Sequence, residues 1–146
     1  MEIFTVGFTK TTAREFFGKL NSARIQRLVD VRLNNTSQLA SYAKRDDLEY
    51  FLETLCSAQY IHEPILAPSQ EMLDTYKKQK GVWADYERRF LALMAERKIE
   101  EELNPADFEN SRSVLLCSED TAENCHRRLV VEYLQTKWPN VEAVHL

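Results

Sequence analysis

Five residues near the carboxyl terminus have side chains that do chemistry: Cys117, Glu119, Cys125, His126 and Arg127. A thiol close to an imidazole, a guanidinium and the start of a helix is favoured as thiolate, the nucleophilic form of cysteine. We therefore take Cys125 as the first candidate for a reactive thiol. Cys117, Glu119 and His126 are further candidate catalytic residues, because Glu119 can act as a general base and His126 can transfer protons near neutral pH.

The same residues have plainer interpretations. Cys117 continues the apolar run 114–116, and Cys125 stands four residues before Leu129, so both are also suited to be small core residues. Cys117, Cys125 and His126 offer three soft ligands for zinc, but structural zinc usually has two closely spaced pairs, and a fourth ligand is not evident. We predict no metal and no other cofactor. We expect the two thiols within about 7 Å of each other, because they flank one strand-to-helix turn.

Alternating strand and helix patterns determine where these residues lie. Apolar runs predict strands over 3–6, 28–31, 60–62, 113–117 and 141–146. Helical spacing predicts a helix capped by Thr11 or Thr12, and further helices over 48–55, 71–80, 83–103 and from 121–124 onward. This alternation predicts a Rossmann-like α/β fold: a mainly parallel five-stranded sheet flanked by helices in an αβα sandwich, with a helical insertion before the fourth strand. It leaves the strand order open.

Open parallel sheets bind ligands outside the carboxyl ends of their strands, where loop amides and helix N-termini collect. The loops after the first, second and fourth strands should therefore share one edge. The candidate ligand-binding residues in and beside these loops are Gly7, Phe8, Thr9, Lys10, Arg32, Asn34, Ser118 and Arg127. We expect an oxyanion at the N-terminus of the helix that starts near Ala122.

Arg32 closes a predicted buried strand, and a buried guanidinium needs an anionic partner. Asp30, Glu119 and an anionic ligand are the alternatives. We expect Arg32 to point into the cleft at the sheet edge and to contact Glu119 or a bound anion.

Composition limits the classes of protein that fit. The chain has 146 residues, 44% hydrophobic and 29% charged, which predicts one globular domain over 1–146. A formal charge of −4 argues against a surface that is basic throughout for nucleic acid, although a local basic patch remains open. Three cysteines and a strand-like start without a secretion signal predict reduced thiols in the cytoplasm. The apolar runs are far shorter than the roughly 20 residues of a membrane span, so we expect no membrane partner.

Three segments carry a resemblance to a known family: Thr5-Val6-Gly7-Phe8-Thr9, Leu28-Val29-Asp30-Val31-Arg32, and Leu115-Leu116-Cys117-Ser118-Glu119 followed by Cys125-His126-Arg127-Arg128. Together they resemble the family called domain of unknown function 488, over nearly the whole chain. The resemblance implies that these motif positions are functional: Gly7, Arg32, Cys117, Glu119, Cys125, His126 and Arg127. Many relatives have histidine where this chain has Phe8. The family brings no settled activity.

Three functions follow as hypotheses. The first is a small cytoplasmic enzyme acting on an anionic substrate related to nucleotides or nucleic acid, with Arg32 and Arg127 holding the anion. The second is a module that binds the same ligands without catalysis, aided by the basic residues Lys10, Arg14, Lys44 and Arg45. The third is a metal or redox site made by the cysteines and His126.

Overall fold

The computed structural model describes residues 1–36, 40–119 and 122–146. The strands are β1 (Glu2–Gly7), β2 (Arg27–Asp30), β3 (Gln59–His62), β4 (Ser113–Cys117) and β5 (Glu142–His145). The helices are α1 (Ala13–Ser22), α2 (Arg45–Phe51), α3 (Gln70–Leu73), α4 (Trp83–Arg97), α5 (Ile99–Glu102), α6 (Pro105–Asn110) and α7 (His126–Gln135), with short 3-10 turns at Ser41–Ala43 and Pro64–Leu66. Wider π-type turns extend α2 over Leu52–Cys56 and α3 over Asp74–Lys78.

The strands form one parallel sheet in the order β3-β2-β4-β1-β5. The predicted parallel α/β architecture is thus confirmed, including the helical insertion α3–α6 before β4. In the centre of the sheet, Gly7 at the end of β1 pairs with Cys117 at the end of β4. The loops that follow these two strands therefore begin side by side.

Two apolar cores cover the two faces of the sheet, because successive side chains of a strand point to opposite faces. On one face, Val114 and Leu116 pack with residues of α1 and α2. On the other, Leu115 and Cys117 pack with residues of α3–α7. The strand β4 is buried along its whole length, as its continuous apolar run predicts.

The central strand β4 differs from its neighbours in where the chain goes next. The helices that follow β1 and β2 lie on one face of the sheet, whereas α7, which follows β4, lies on the other. Adjacent parallel strands whose helices diverge in this way leave a crevice at their carboxyl ends. The residues after β4 line that crevice.

Two predicted helices differ from the structure. The helix predicted over 83–103 is broken at Lys98, whose left-handed backbone (φ 51°, ψ 51°) ends α4 and allows Ile99 to be fully buried in α5. The helix predicted from 121–124 begins only at His126, because Cys125 has an extended backbone (φ −134°, ψ 139°). In the described parts of the chain, no helix is both long and apolar enough to cross a bilayer.

Candidate functional site

A thiol and an imidazole meet at the end of β4. The Sγ atom of Cys117 lies 3.3 Å from Nδ1 of His126, the first residue of α7. The other ring nitrogen, Nε2, lies 2.7 Å from the carbonyl oxygen of Val31. A carbonyl oxygen can only accept a hydrogen bond, so Nε2 carries the proton and the lone pair of neutral His126 is on Nδ1. Sγ of Cys117 is also 3.9 Å from Nε2, so the thiol lies against the face of the ring and not along that lone pair.

The second thiol, that of Cys125, belongs to the same cluster. The two sulfur atoms and a ring nitrogen of His126 lie within 4.8 Å of one another, which confirms the expected closeness of the thiols. All three residues are buried. Both cysteines lie in the core on the same face of the sheet, so the cluster is placed to hold a metal ion or to form a disulfide.

The surroundings shift the pKa values of the two thiols in opposite directions. Burial acts to raise the pKa of Cys117, but the Cys125 thiol, the charge of Arg127 and the backbone amides after β4 outweigh it and lower that pKa. Burial, together with the neighbouring Cys117, raises the pKa of Cys125 well above its ordinary value. Cys117 is therefore the thiol favoured as thiolate. The sequence favours Cys125 instead, because the hydrogen bonds from the backbone amides after β4 to Cys117 are visible only in the structure.

Arg127 holds the loop after β4 in place through a hydrogen bond. Its side chain is fully buried, and Nη1 donates to the backbone carbonyl of Glu119 and lies 3.7 Å from Sγ of Cys125. Gly7 makes room for this contact, since a Cβ atom there would lie 1.5 Å from the Glu119 oxygen. Arg127 and Gly7 thus fix the loop after β4. Neither residue lines the cavity of about 310 Å³ that lies next to this loop.

Arg32 has a protein partner. Its Nε and Nη2 each donate to a carboxylate oxygen of Asp30 at 2.8 Å, and the Tyr60 hydroxyl donates to the same carboxylate at 2.6 Å. The expected contact with Glu119 is therefore wrong: Asp30 lies two residues away and reaches the guanidinium in two-pronged geometry. The Arg32 guanidinium also lies over the Phe8 ring, 5.3 Å from its centre. Its Nη1 is buried without a partner among the described residues.

A cavity of about 310 Å³ opens over this cluster. Its floor is formed by Cys117, Cys125 and His126. Arg32 and Asn34 come from the loop after β2, and Ser118 and Glu119 from the loop after β4. Leu33 and Asn124 lie in the same two loops. The helical insertion, with Pro68 just before it, supplies the remaining wall: Gln70, Leu73, Asp74, Tyr76, Lys77, Lys78, Trp83 and Tyr86.

The sequence gives no sign that Lys77 lines a cavity, whereas Trp83 and Tyr86 can form an aromatic wall if the helical insertion folds over the site, as it does here. Lys77 belongs to a charged run that is typical of a solvated face, yet its Nζ lies 2.9 Å from the Glu119 carboxylate across the cavity mouth. The rings of Tyr76, Trp83 and Tyr86 lie within 5.5 Å of one another, centre to centre. Their helical spacing predicts packing, and only the placement of the insertion over the sheet edge adds a cavity wall.

The predicted ligand-binding residues of the first loop are separated from this cavity. Phe8, Thr9 and Lys10 line a second space of about 540 Å³, which shares Ser118 with the first. The predicted oxyanion position near Ala122 lacks a helix start, since α7 begins at His126. Ser37, Gln38, Asp120 and Thr121, in the loops after β2 and β4, lie outside the described residues.

The chain matches a known protein family over most of its length. The family described as "Domain of unknown function DUF488" matches residues 12–134, which contain β2, β4, all but the last residue of α7 and every residue that lines the first cavity. Searches of curated proteins and of solved structures find no match. The match extends over well more than half of the chain, and this chain belongs to the family of domain of unknown function DUF488.

Proposed function

We propose that the chain is an enzyme that binds a small anion of the nucleotide class, which carries a planar base, in the 310 Å³ cavity. The groups at the cavity floor then act on this ligand. One observation carries the proposal: an aromatic wall, cationic donors and the cluster of Cys117, Cys125 and His126 surround a single space. Pockets of roughly 300–1,000 Å³ are typical of small-molecule sites. This size favours a mononucleotide over a nucleic acid strand.

The aromatic wall supports a planar ligand. Trp83 and Tyr86 are stacked with ring centres 5.2 Å apart, and Tyr76 lies against both rings. Trp83 is partly exposed and lines the cavity. Aromatic faces bind nucleobases by stacking, worth about 1–3 kcal/mol for each base.

The cationic donors support an anion. Arg32 presents the Nη1 group that has no partner among the described residues, and Lys77 stands at the mouth with 61% of its side chain exposed. Exposed ion pairs such as Lys77 with Glu119 contribute only about 0–1 kcal/mol, so a ligand phosphate can take over Lys77 at small cost. A phosphate between Arg32 and Lys77 would place the rest of the ligand against the aromatic wall.

Tryptophan fluorescence tests binding. The chain has two tryptophans: Trp83 lines the cavity, and Trp138 lies in the core beside Phe108. In the Trp138→Phe variant, the emission of Trp83 should change saturably on titration with adenosine and uridine monophosphates, and less with inorganic phosphate. In the Trp83→Phe variant, the emission of Trp138 should stay constant.

Charge variants sharpen the test. Lys77→Met should weaken mononucleotide binding about tenfold, because one charge-assisted hydrogen bond is worth about 1.5 kcal/mol. Lys19→Met, an exposed change on α1 across the sheet, should leave binding unchanged. Chromatography of the incubated nucleotide then separates an enzyme, which releases a product, from a binding module, which does not. A Trp83 signal that no nucleotide changes at millimolar concentration would refute the proposal.

A further inference from the structure

We propose that Cys117 Sγ, Cys125 Sγ and His126 Nδ1 bind a transition-metal ion of the zinc class, with the fourth coordination position open to the cavity. The inference goes beyond the proposed function, since it requires no nucleotide. It also departs from the expectation of no metal, which rests on the lack of a fourth ligand in the sequence.

The donor atoms have the spacing that such an ion needs. With Zn–S bonds of about 2.3 Å and Zn–N bonds of about 2.0–2.1 Å, a tetrahedron places its donors about 3.5–3.8 Å apart. Here Cys117 Sγ and His126 Nδ1 are 3.3 Å apart, and the three donor groups lie within 4.8 Å of one another. Because Cys117 Sγ lies against the face of the imidazole, 3.9 Å from Nε2 as well, metal binding requires the Cys117 and His126 side chains to rotate so that both point at one ion.

The histidine is prepared as a ligand. Its Nε2–H group donates to the Val31 carbonyl at 2.7 Å, which fixes the proton on Nε2 and leaves the lone pair on Nδ1, the ring nitrogen nearer to Cys117 Sγ. Histidines that bind metals usually donate their second ring nitrogen in this way, often to a backbone carbonyl. The Phe90 ring, 5.4 Å away between centres, also packs against the imidazole.

The cysteines are held in place by regular secondary structure. Cys117 is the last residue of β4, and Cys125 immediately precedes α7 without using its side chain to cap that helix. The guanidinium of Arg127, 3.7 Å from Cys125 Sγ, can donate to a metal-bound thiolate and offset part of its charge. Both cysteines are among the residues that line the cavity.

The ligand count decides which kind of site this is. Structural zinc sites have four protein ligands, whereas catalytic sites have three and leave the fourth position to water or substrate. Among the described residues, Cys117, Cys125 and His126 are the only three or more His, Cys, Asp or Glu side chains close enough together to share a metal ion. Because the trio forms the cavity floor, a bound ion would present its open position to whatever occupies the cavity.

Cobalt substitution tests the site. Reduced protein, stripped with a chelator and titrated with Co²⁺, should bind one equivalent and develop both thiolate-to-cobalt charge-transfer absorption and the intense visible bands of tetrahedral cobalt, which Zn²⁺ then abolishes. Cys117→Ser, Cys125→Ser and His126→Gln should each lower zinc affinity at least about tenfold, the lower end of the losses seen for ligand-supporting residues. Cys56→Ser, in the opposite core cluster, is the matched control and should bind normally.

Alkylation of the unchanged protein covers the case in which a variant fails to fold. Stoichiometric Zn²⁺ should protect Cys117 and Cys125 from iodoacetamide and leave Cys56 as reactive as before. The proposal is overturned if reduced protein gives no tetrahedral cobalt spectrum, if Zn²⁺ protects none of the cysteines, or if it protects Cys56 equally. Nucleotide titration of the Trp138→Phe protein in excess chelator separates the two proposals, because it tests nucleotide binding in the absence of bound metal.

Discussion

Gly7→Ala is the substitution for which the structure gives the clearest magnitude. The new Cβ atom would lie 1.5 Å from the Glu119 carbonyl oxygen and 2.6 Å from Nη1 of Arg127. Ordinary contact requires the oxygen to retreat by about 2 Å, which breaks its bond with Arg127. Overpacking costs about 1–3 kcal/mol, and leaving the buried partners unpaired costs about another 1–3 kcal/mol. We expect a loss of about 2–6 kcal/mol in the free energy of unfolding.

Urea unfolding followed by tryptophan fluorescence measures this loss. A change of 1 kcal/mol moves Tm by about 2–4 °C in a chain of this size, so a loss of 4 kcal/mol should lower Tm by about 8–16 °C. Gly18→Ala is the control, because Gly18 is exposed in α1 with no atom within 4 Å of the new Cβ. That change should stabilise the protein by about 0.5–1 kcal/mol. A Gly7→Ala protein within about 0.5 kcal/mol of the unchanged chain would refute the brace between Gly7, Glu119 and Arg127.

Two further changes test other contacts. Asp30→Asn should cost about 3–5 kcal/mol of unfolding free energy, because it leaves the buried Arg32 guanidinium unpaired. Asp107→Asn should cost less than about 1 kcal/mol, because the Asp107 side chain lies 3.9 Å from Arg27 and is 56% exposed. Similar urea midpoints for the two variants would contradict the buried pair. Thr12→Ala should cost about 1 kcal/mol, because the Thr12 hydroxyl accepts from the Glu15 amide at the start of α1; an unchanged midpoint would show that this cap contributes nothing.

The strands are the part of the fold that the sequence predicts well. β4 was expected over 113–117 and is found over Ser113–Cys117, since a strand buried on both faces must be apolar throughout. The strand order has no such local signal, because it depends on which strands pair across the crossovers. The break at Lys98 likewise depends on how Ile99 enters the core after the helix has docked.

The candidate site was predictable in its types of residue and less so in their contacts. The motif places Cys117, Cys125 and His126 together, and they are together. The sequence left the partner of Arg32 open among Asp30, Glu119 and an anionic ligand, since Asp30 is close in sequence and Glu119 is at the same sheet edge. The role of Lys77 could not be predicted, because a lysine in a charged run looks the same in sequence whether it is solvated or lines a cavity. Only the folded insertion places Lys77 opposite Glu119.

The contacts divide the cavity into a fixed floor and an adjustable wall. Behind the floor, Gly7, Glu119 and Arg127 meet at distances that admit no extra atom, and Val31 holds the His126 ring. Across the mouth, an exposed pair joins Lys77 to Glu119, and Lys77 lies on the wider helical turn Asp74–Lys78. A site that binds a ligand and reacts with it needs both parts: chemical groups that are held in place and a wall that can yield to admit the ligand. Substitutions should separate accordingly, with floor variants losing stability and metal binding, and wall variants such as Lys77→Met losing nucleotide affinity at nearly unchanged stability.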